Sequence, residues 1–141
     1  MKKLFVTMLT VVCVIVIACS RTGAGDLEDL NAIDQSDDVF PVINTTRPTA
    51  NQVYISGDSI IVEGKVTDNK KLYKGKVLIR NDANSSTVAE NYYETHFLSV
   101  MNFRLAYKTY VTATTDYTVL LEFQDHGLNT TTASIKVKVN P

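Results

Sequence analysis

Cysteine is nearly absent from the chain: of 141 residues only two are Cys. They are Cys13 and Cys19, both within or at the end of one N-terminal apolar run, so no disulfide framework is available to staple a folded region further along. Tryptophan is absent and the six glycines are scattered, which removes a glycine-rich phosphate loop. The two histidines, His96 and His126, have no H-x-x-H or C-x-x-C neighbours, and no nucleophile, base and orienting group stand at a recognisable spacing. The chain therefore reads as a non-enzyme and its histidines as surface residues. Positive charge is not in excess either. Fourteen Lys and Arg against fifteen Asp and Glu give a net charge of −1, without the clustered basic residues that nucleic acid requires. Internal repeats and heptads are also missing.

What is present begins with a basic start, Lys2 and Lys3, and an apolar run from Leu4 to Ile17. That run is shorter than the roughly 20 residues of a spanning helix, and its layout is that of a secretory signal. It ends in Val16-Ile17-Ala18-Cys19, which resembles the bacterial lipobox. The resemblance implies removal of residues 1–18 as a lipoprotein signal peptide, acylation of Cys19 as the new N-terminus, and attachment to a membrane through that lipid. Ser20, in place of an Asp after the cysteine, implies the outer membrane of a bacterial cell, with the periplasmic or surface face left open. Neither cysteine then remains as a thiol.

Residues 19–38 form the lipidated Cys and an acidic flexible tether. Asp26, Glu28, Asp29, Asp34, Asp37 and Asp38 outnumber its large apolar residues, a composition that buries too little surface to order itself. Leu27, Leu30 and Ile33 have helical spacing and allow a transient turn. The stretch serves as a solvated spacer or, by resemblance to some Gram-negative lipoproteins, as a mark for surface export.

Residues 39–141 have the size of one sandwich domain of about 100 residues. From Asp116 to Val139 the chain spells a hairpin. Tyr117, Val119, Leu121 and Phe123 alternate with polar positions, and so do Ala133, Ile135, Val137 and Val139, the period of a strand with one buried face. Between them lies DHGLN, where Gly127 and Asn129 can take positive φ and Asp125 can hydrogen-bond a turn amide. Phe40 to Ile43, broken by Pro41, predicts a first edge strand that Val53 to Ser56 resumes. Ile60, Val62 and Val66 predict a second strand, Val77 and Ile79 a third, and Phe103, Leu105 and Tyr107 the strand before the hairpin. Residues 82–101 fit no clean period.

Tyr117, at the start of the penultimate strand, resembles the tyrosine corner of immunoglobulin-like sandwiches. GDSIIVEGKVTDNKKLYKGKVLI resembles the corresponding strand pair of bacterial Ig-like modules, both cadherin-like and fibronectin-like. Over residues 39–141 the pattern is similar to a family of unknown function found as single Ig-like domains on envelope lipoproteins. The resemblance implies an all-β chain, a single immunoglobulin-like antiparallel β-sandwich of about seven strands. It also implies a buried Tyr117 whose hydroxyl bonds to backbone upstream.

Two sets of residues are candidates for function. In a sandwich of this topology one pole gathers Asp37, Asp38, Asp68 and Asp125, with Asn69 and Asn129 as neutral oxygen donors. Cadherin-like domains bind calcium with such oxygens, and the ion takes six to eight of them. Against calcium, no D-x-D-x-D spacing occurs, and Asp or Asn in turns commonly bonds its own backbone. The second set is aromatic: Tyr92, Tyr93, Phe97 and Tyr107, with Tyr54 and Tyr110, can stack on sugar rings or serve a protein interface. The sequons at Asn44, Asn84 and Asn129 and the Asp58-Ser59-Ile60 triplet are short matches without context. Together the features predict an outer-membrane lipoprotein presenting one Ig-like domain as a binding or adhesion module for a glycan or protein partner. The alternative is a non-catalytic structural accessory subunit of an envelope assembly.

Overall fold

Alternation of apolar residues is realised as two antiparallel sheets packed face to face. A computed structural model of the chain describes residues 29–141. Residues 1–18, Cys19 and the first part of the tether lie outside the described residues. The strands run β1 (Val42–Arg47), β2 (Val53–Ile55), β3 (Ser59–Thr67), β4 (Leu72–Asn81), β5 (Ser86–Glu94), β6 (Val100–Lys108), β7 (Thr115–Asp125) and β8 (Thr130–Asn140). One sheet has the order β1-β3-β6 and the other β2-β8-β7-β4-β5. This is an immunoglobulin-like sandwich. Every ladder is antiparallel except the short parallel pairing of β2 with β8.

The described residues form eight strands, where the sequence spells six and the resemblance implies about seven, for two reasons. The first predicted strand does not resume after Pro48 in the same sheet. β1 pairs β3, whereas β2 leaves for β8 on the opposite sheet, so a single edge strand becomes two. The stretch 82–101 also contains a full strand, β5, which runs as an edge against β4. Most β5 side chains stay exposed, and without a buried face the period that announces a strand disappears.

The core lies between the sheets. Ile60, Val62 and Val66 of β3 and Phe103 of β6 form one buried cluster with Leu72, Val77 and Ile79 of β4, Val119, Leu121 and Phe123 of β7, and Val137 and Val139 of β8. Phe103 and Phe123 meet at 5.4 Å between ring centroids. Gly75 of β4 is the seat for the second of these rings, because a Cβ there would overlap the Phe123 ring. Leu105 and Tyr107, predicted to face inward, are only half-buried. Their strand, β6, is the outer strand of the smaller sheet.

The tyrosine corner is half realised. Tyr117 is 2% exposed, with its ring 6.1 Å from that of Tyr107. Its hydroxyl makes none of the hydrogen bonds found among the described residues, so the predicted bond to upstream backbone is absent. Burial, and then the neighbouring Tyr107, raises the Tyr117 phenol above its ordinary value of 10.0.

The β7–β8 turn also departs from expectation. Leu128, not Gly127 or Asn129, carries the positive φ, at 66°. Gly127 is required for another reason, close approach: a Cβ there would stand 2.6 Å from the Asp37 carbonyl oxygen and 2.8 Å from Asn129 Nδ2. The turn is shaped to receive the chain that precedes β1.

Candidate metal centre and the cleft beside it

Three separate segments deliver carboxylates to one pole. Asp37 comes from the strap before β1, Asp68 from the β3–β4 turn and Asp125 from the end of β7. One oxygen from each lies within 4.8 Å of the others. Asp37 is 6% exposed and Asp125 is fully buried.

Local backbone bonding explains why each stands where it does. Asp37 Oδ1 accepts from the Val39 amide at 3.2 Å, and Asp68 Oδ2 accepts from the Lys70 amide at 2.8 Å. These are the turn bonds that counted against a metal in the sequence. They occupy one oxygen of each residue and leave the other. Asp37 Oδ2 and Asp68 Oδ1 are buried and have no hydrogen-bond partner. Asp125 is fixed by Asn129, whose amide donates to Oδ1 at 2.8 Å and whose Nδ2 donates to Oδ2 at 2.9 Å.

Such an arrangement is electrostatically loaded. Burial raises the Asp68 carboxyl above its usual 3.8, and the charges of Asp37 and Asp125 push in the same direction, against the Lys70 amide bond. The Lys70 ammonium is engaged elsewhere, its Nζ donating to Asp34 Oδ2 at 2.9 Å and to Ser36 Oγ at 3.0 Å. A buried polar atom without a partner is costly, and here two such atoms belong to residues whose carboxylates meet that of Asp125. All three donors are hard oxygens, the chemistry that suits Ca²⁺ or Mg²⁺ rather than a thiophilic metal. The residues therefore fit a divalent hard cation, with further oxygens to come from carbonyls or solvent.

Of the five residues predicted for calcium, the structure brings together Asp37, Asp68 and Asp125. Asn129 stands beside them but presents its Nδ2, which also donates to the Asp37 carbonyl at 2.9 Å. It positions the site and does not offer an oxygen in this rotamer. Asp38 is exposed and stands outside the trio.

The described part of the acidic tether is not a featureless spacer. The Asp34 amide donates to the His126 carbonyl at 2.8 Å, and His126 Nδ1 lies 2.8 Å from the Ala32 carbonyl, where it donates. Between this strap and the sandwich opens a cleft of about 500 Å³, lined by Ile33, Asp34, Asp37, Lys70, Phe97 and His126 among others. Phe97 is 48% exposed, and Lys71 Nζ sits 5.2 Å from its ring centroid. The histidines correct the sequence reading. His126 is buried, His96 is half-buried, their rings are 5.4 Å apart, and Tyr73 contacts both.

The predicted aromatic residues do not share a surface. Tyr92 and Tyr93 are neighbours on a strand and so face opposite ways. Tyr92 is exposed, with Lys76 Nζ 4.8 Å from its ring centroid. Tyr93 turns toward the core, 6.1 Å from Phe123, and its hydroxyl donates to the Arg104 carbonyl and accepts from the Arg104 amide, tying β5 to β6. Tyr107 packs on Tyr117, Tyr54 is buried and Tyr110 is exposed. Only Phe97 joins the cleft. Sequence reasoning missed Lys70, His126 and Ile33 as cleft residues. No local pattern pairs the strap with a turn some ninety positions away, as the Asn129–Asp37 bond does across 92 residues.

Comparison with known proteins adds the following. No family model and no curated protein matches the chain. Among solved structures, it is similar to OgpA from Akkermansia muciniphila (11% identity, TM-score 0.45, covering 71% of this chain and 29% of that one). It is also similar to the fibronectin(III)-like modules of Clostridium thermocellum CbhA (12% identity, TM-score 0.42, 72% and 46%) and to murine CRIg (12% identity, TM-score 0.41, 72% and 98%). The chain thus spans well under two thirds of the first two. At this level of likeness neither family nor activity carries over.

Proposed function

We propose that the chain is a non-catalytic, membrane-tethered binding module whose partner docks in the cleft between the strap and the sandwich, beside a calcium ion held by Asp37, Asp68 and Asp125. The observation that carries the reading is the pair of buried, unpartnered carboxylate oxygens, Asp37 Oδ2 and Asp68 Oδ1, on two members of a three-carboxylate cluster. The cleft offers an exposed aromatic face in Phe97 and polar groups on either side, the mixture that suits a glycan or a short protein segment. The lipobox-like stretch at Cys19 supports attachment to the outer membrane of a bacterial cell.

The reading is tested in three steps. Replacing Cys19 with Ser should move the protein from the membrane fraction to the soluble one. Calcium titration of that soluble variant by calorimetry should show one site, lost in Asp37→Asn. A glycan array and a pull-down, each with calcium and with chelator, should then give calcium-dependent hits that Phe97→Ala weakens. Absence of calcium binding at millimolar concentration sinks the metal centre, and silence in both screens sinks the binding module.

A further inference from the structure

We infer that the ion acts as a latch: it fastens residues 29–38 to the sandwich and so builds one wall of the cleft. This rests on the calcium reading above and adds to it a moving part. The three ligands are not held alike. Asp125 is the last residue of β7, paired through Leu72 to β4. Asp68 closes β3, its amide donating to the Ser99 carbonyl at 2.8 Å. Asp37 belongs to a segment that joins neither sheet. Its strap is held by a few bonds: the Asp34 amide to His126, His126 Nδ1 to Ala32, Lys70 Nζ to Asp34 and Ser36, and Asn129 Nδ2 to the Asp37 carbonyl.

Three carboxylates so close repel one another unless a cation or a proton intervenes. The side chain that would retreat is the one on the least anchored segment. Asp37 is more than nine-tenths buried with Oδ2 unpartnered in the cluster, so docking the strap without an ion places an unneutralised oxygen in the interior. With the ion, that same oxygen becomes the fastening. The seat is cut for this contact, because Gly127 leaves room for the Asp37 carbonyl where a Cβ would stand 2.6 Å away.

The strap supplies Asp29, Ala32, Ile33, Asp34 and Asp37 to the cleft lining. Its release therefore dismantles the cleft, uncovers the His126 ring nitrogen bonded to Ala32 and lengthens the tether by up to about 3.5 Å for each freed residue. Partner binding becomes calcium-dependent even where the partner never touches the ion.

The experiment is amide hydrogen exchange on the Cys19→Ser chain, with calcium or with chelator, run beside calorimetry on the same sample. If strap opening releases the ion, exchange at Asp34 and Asp37 slows by the factor one plus the calcium concentration over Kd, about 100-fold at 100 times Kd. Amides in the middle of β3 and β7 change far less in the subglobal regime. Asp37→Asn, a change outside both sheets, should leave those core amides protected and make strap exchange indifferent to calcium. Gly127→Ala should weaken calcium binding by displacing the strap. Calcium binding by calorimetry with unchanged strap exchange overturns the latch and leaves the metal centre standing. Equal slowing of strap and core also overturns it, as general stabilisation. No calcium binding at all overturns both.

Discussion

The space between the sheets is dry and the acidic pole is buried at Asp37 and Asp125 and half-buried at Asp68, yet the two are finished differently. Between the sheets Phe103, Phe123, Leu121 and the valines around them are apolar side chains with apolar neighbours, and burial is its own reward. At the pole, Asp37, Asp68 and Asp125 are carried inward with two oxygens unmatched. The first region stabilises the fold in any buffer. The second leaves a deficit that only something outside the chain can make good. An unsatisfied buried group in an otherwise consistent structure marks a functional place, and that contrast can be tested by breaking each region in turn.

The largest effect belongs to the core. Phe123→Ala should destabilise the protein by about 3–5 kcal/mol, because the ring is fully buried, rests on the Gly75 seat and contacts both Phe103 and Tyr93. Urea unfolding should give the same loss with calcium and with chelator. A loss that appears in only one of the two conditions would mean that core and pole are one cooperative unit and that the contrast is false.

Next comes the pole. At calcium 100 times Kd the parent should gain about 2.7 kcal/mol over its calcium-free state. Asp125→Asn should gain almost none, since one charge has left the site. Without calcium the same substitution removes a buried charge that repels Asp37 and Asp68, but it keeps only one of the two oxygens that accept from Asn129, so it should cost about 1–3 kcal/mol. Melting each protein with calcium and with chelator checks both halves. An Asp125→Asn variant that still gains the full increment would remove Asp125 from the ligand set.

The same contrast explains what the sequence could and could not say. The buried faces of β3, β4 and β7 were legible because one side meets apolar neighbours and the other meets water, which writes itself as alternation: Ile60 and Val62, Val77 and Ile79, Tyr117 through Phe123. β5 was not legible, since an edge strand exposed over most of its length has no such contrast. The pole was legible in part. Asp68 and Asp125 end strands, so topology alone brings them near each other. Asp37 could be grouped with them, but its burial could not be read. That follows from the Gly127 seat and from His126 and Asn129 reaching across to the strap, contacts made by side chains far apart in sequence. Asp38, next to Asp37, shows the limit of such grouping: the two are equivalent in composition and opposite in exposure.

The smallest effect tests the boundary between the two regions. Tyr117 is as buried as its apolar neighbours yet carries a hydroxyl, and that hydroxyl finds no partner among the described residues. Were it bonded to buried backbone, Tyr117→Phe would strand an acceptor and cost about 1–3 kcal/mol. With no bond to lose, the variant should lie within about 0.5 kcal/mol of the parent at neutral pH. Alkaline conditions separate the two proteins. The folded phenol is raised above 10.0, first by burial and then by Tyr107, so the folded state holds its proton more tightly than the unfolded chain does. That contribution is fully present below pH 10.0 and is lost as pH rises through the folded value. Tyr117→Phe should reduce this alkaline loss, leaving the part due to Tyr54, whose phenol burial also raises. Urea midpoints measured from neutral pH to above 10 would show it: a variant whose alkaline slope matches the parent's would mean that Tyr117 ionises freely and that its ring is not part of the dry interior.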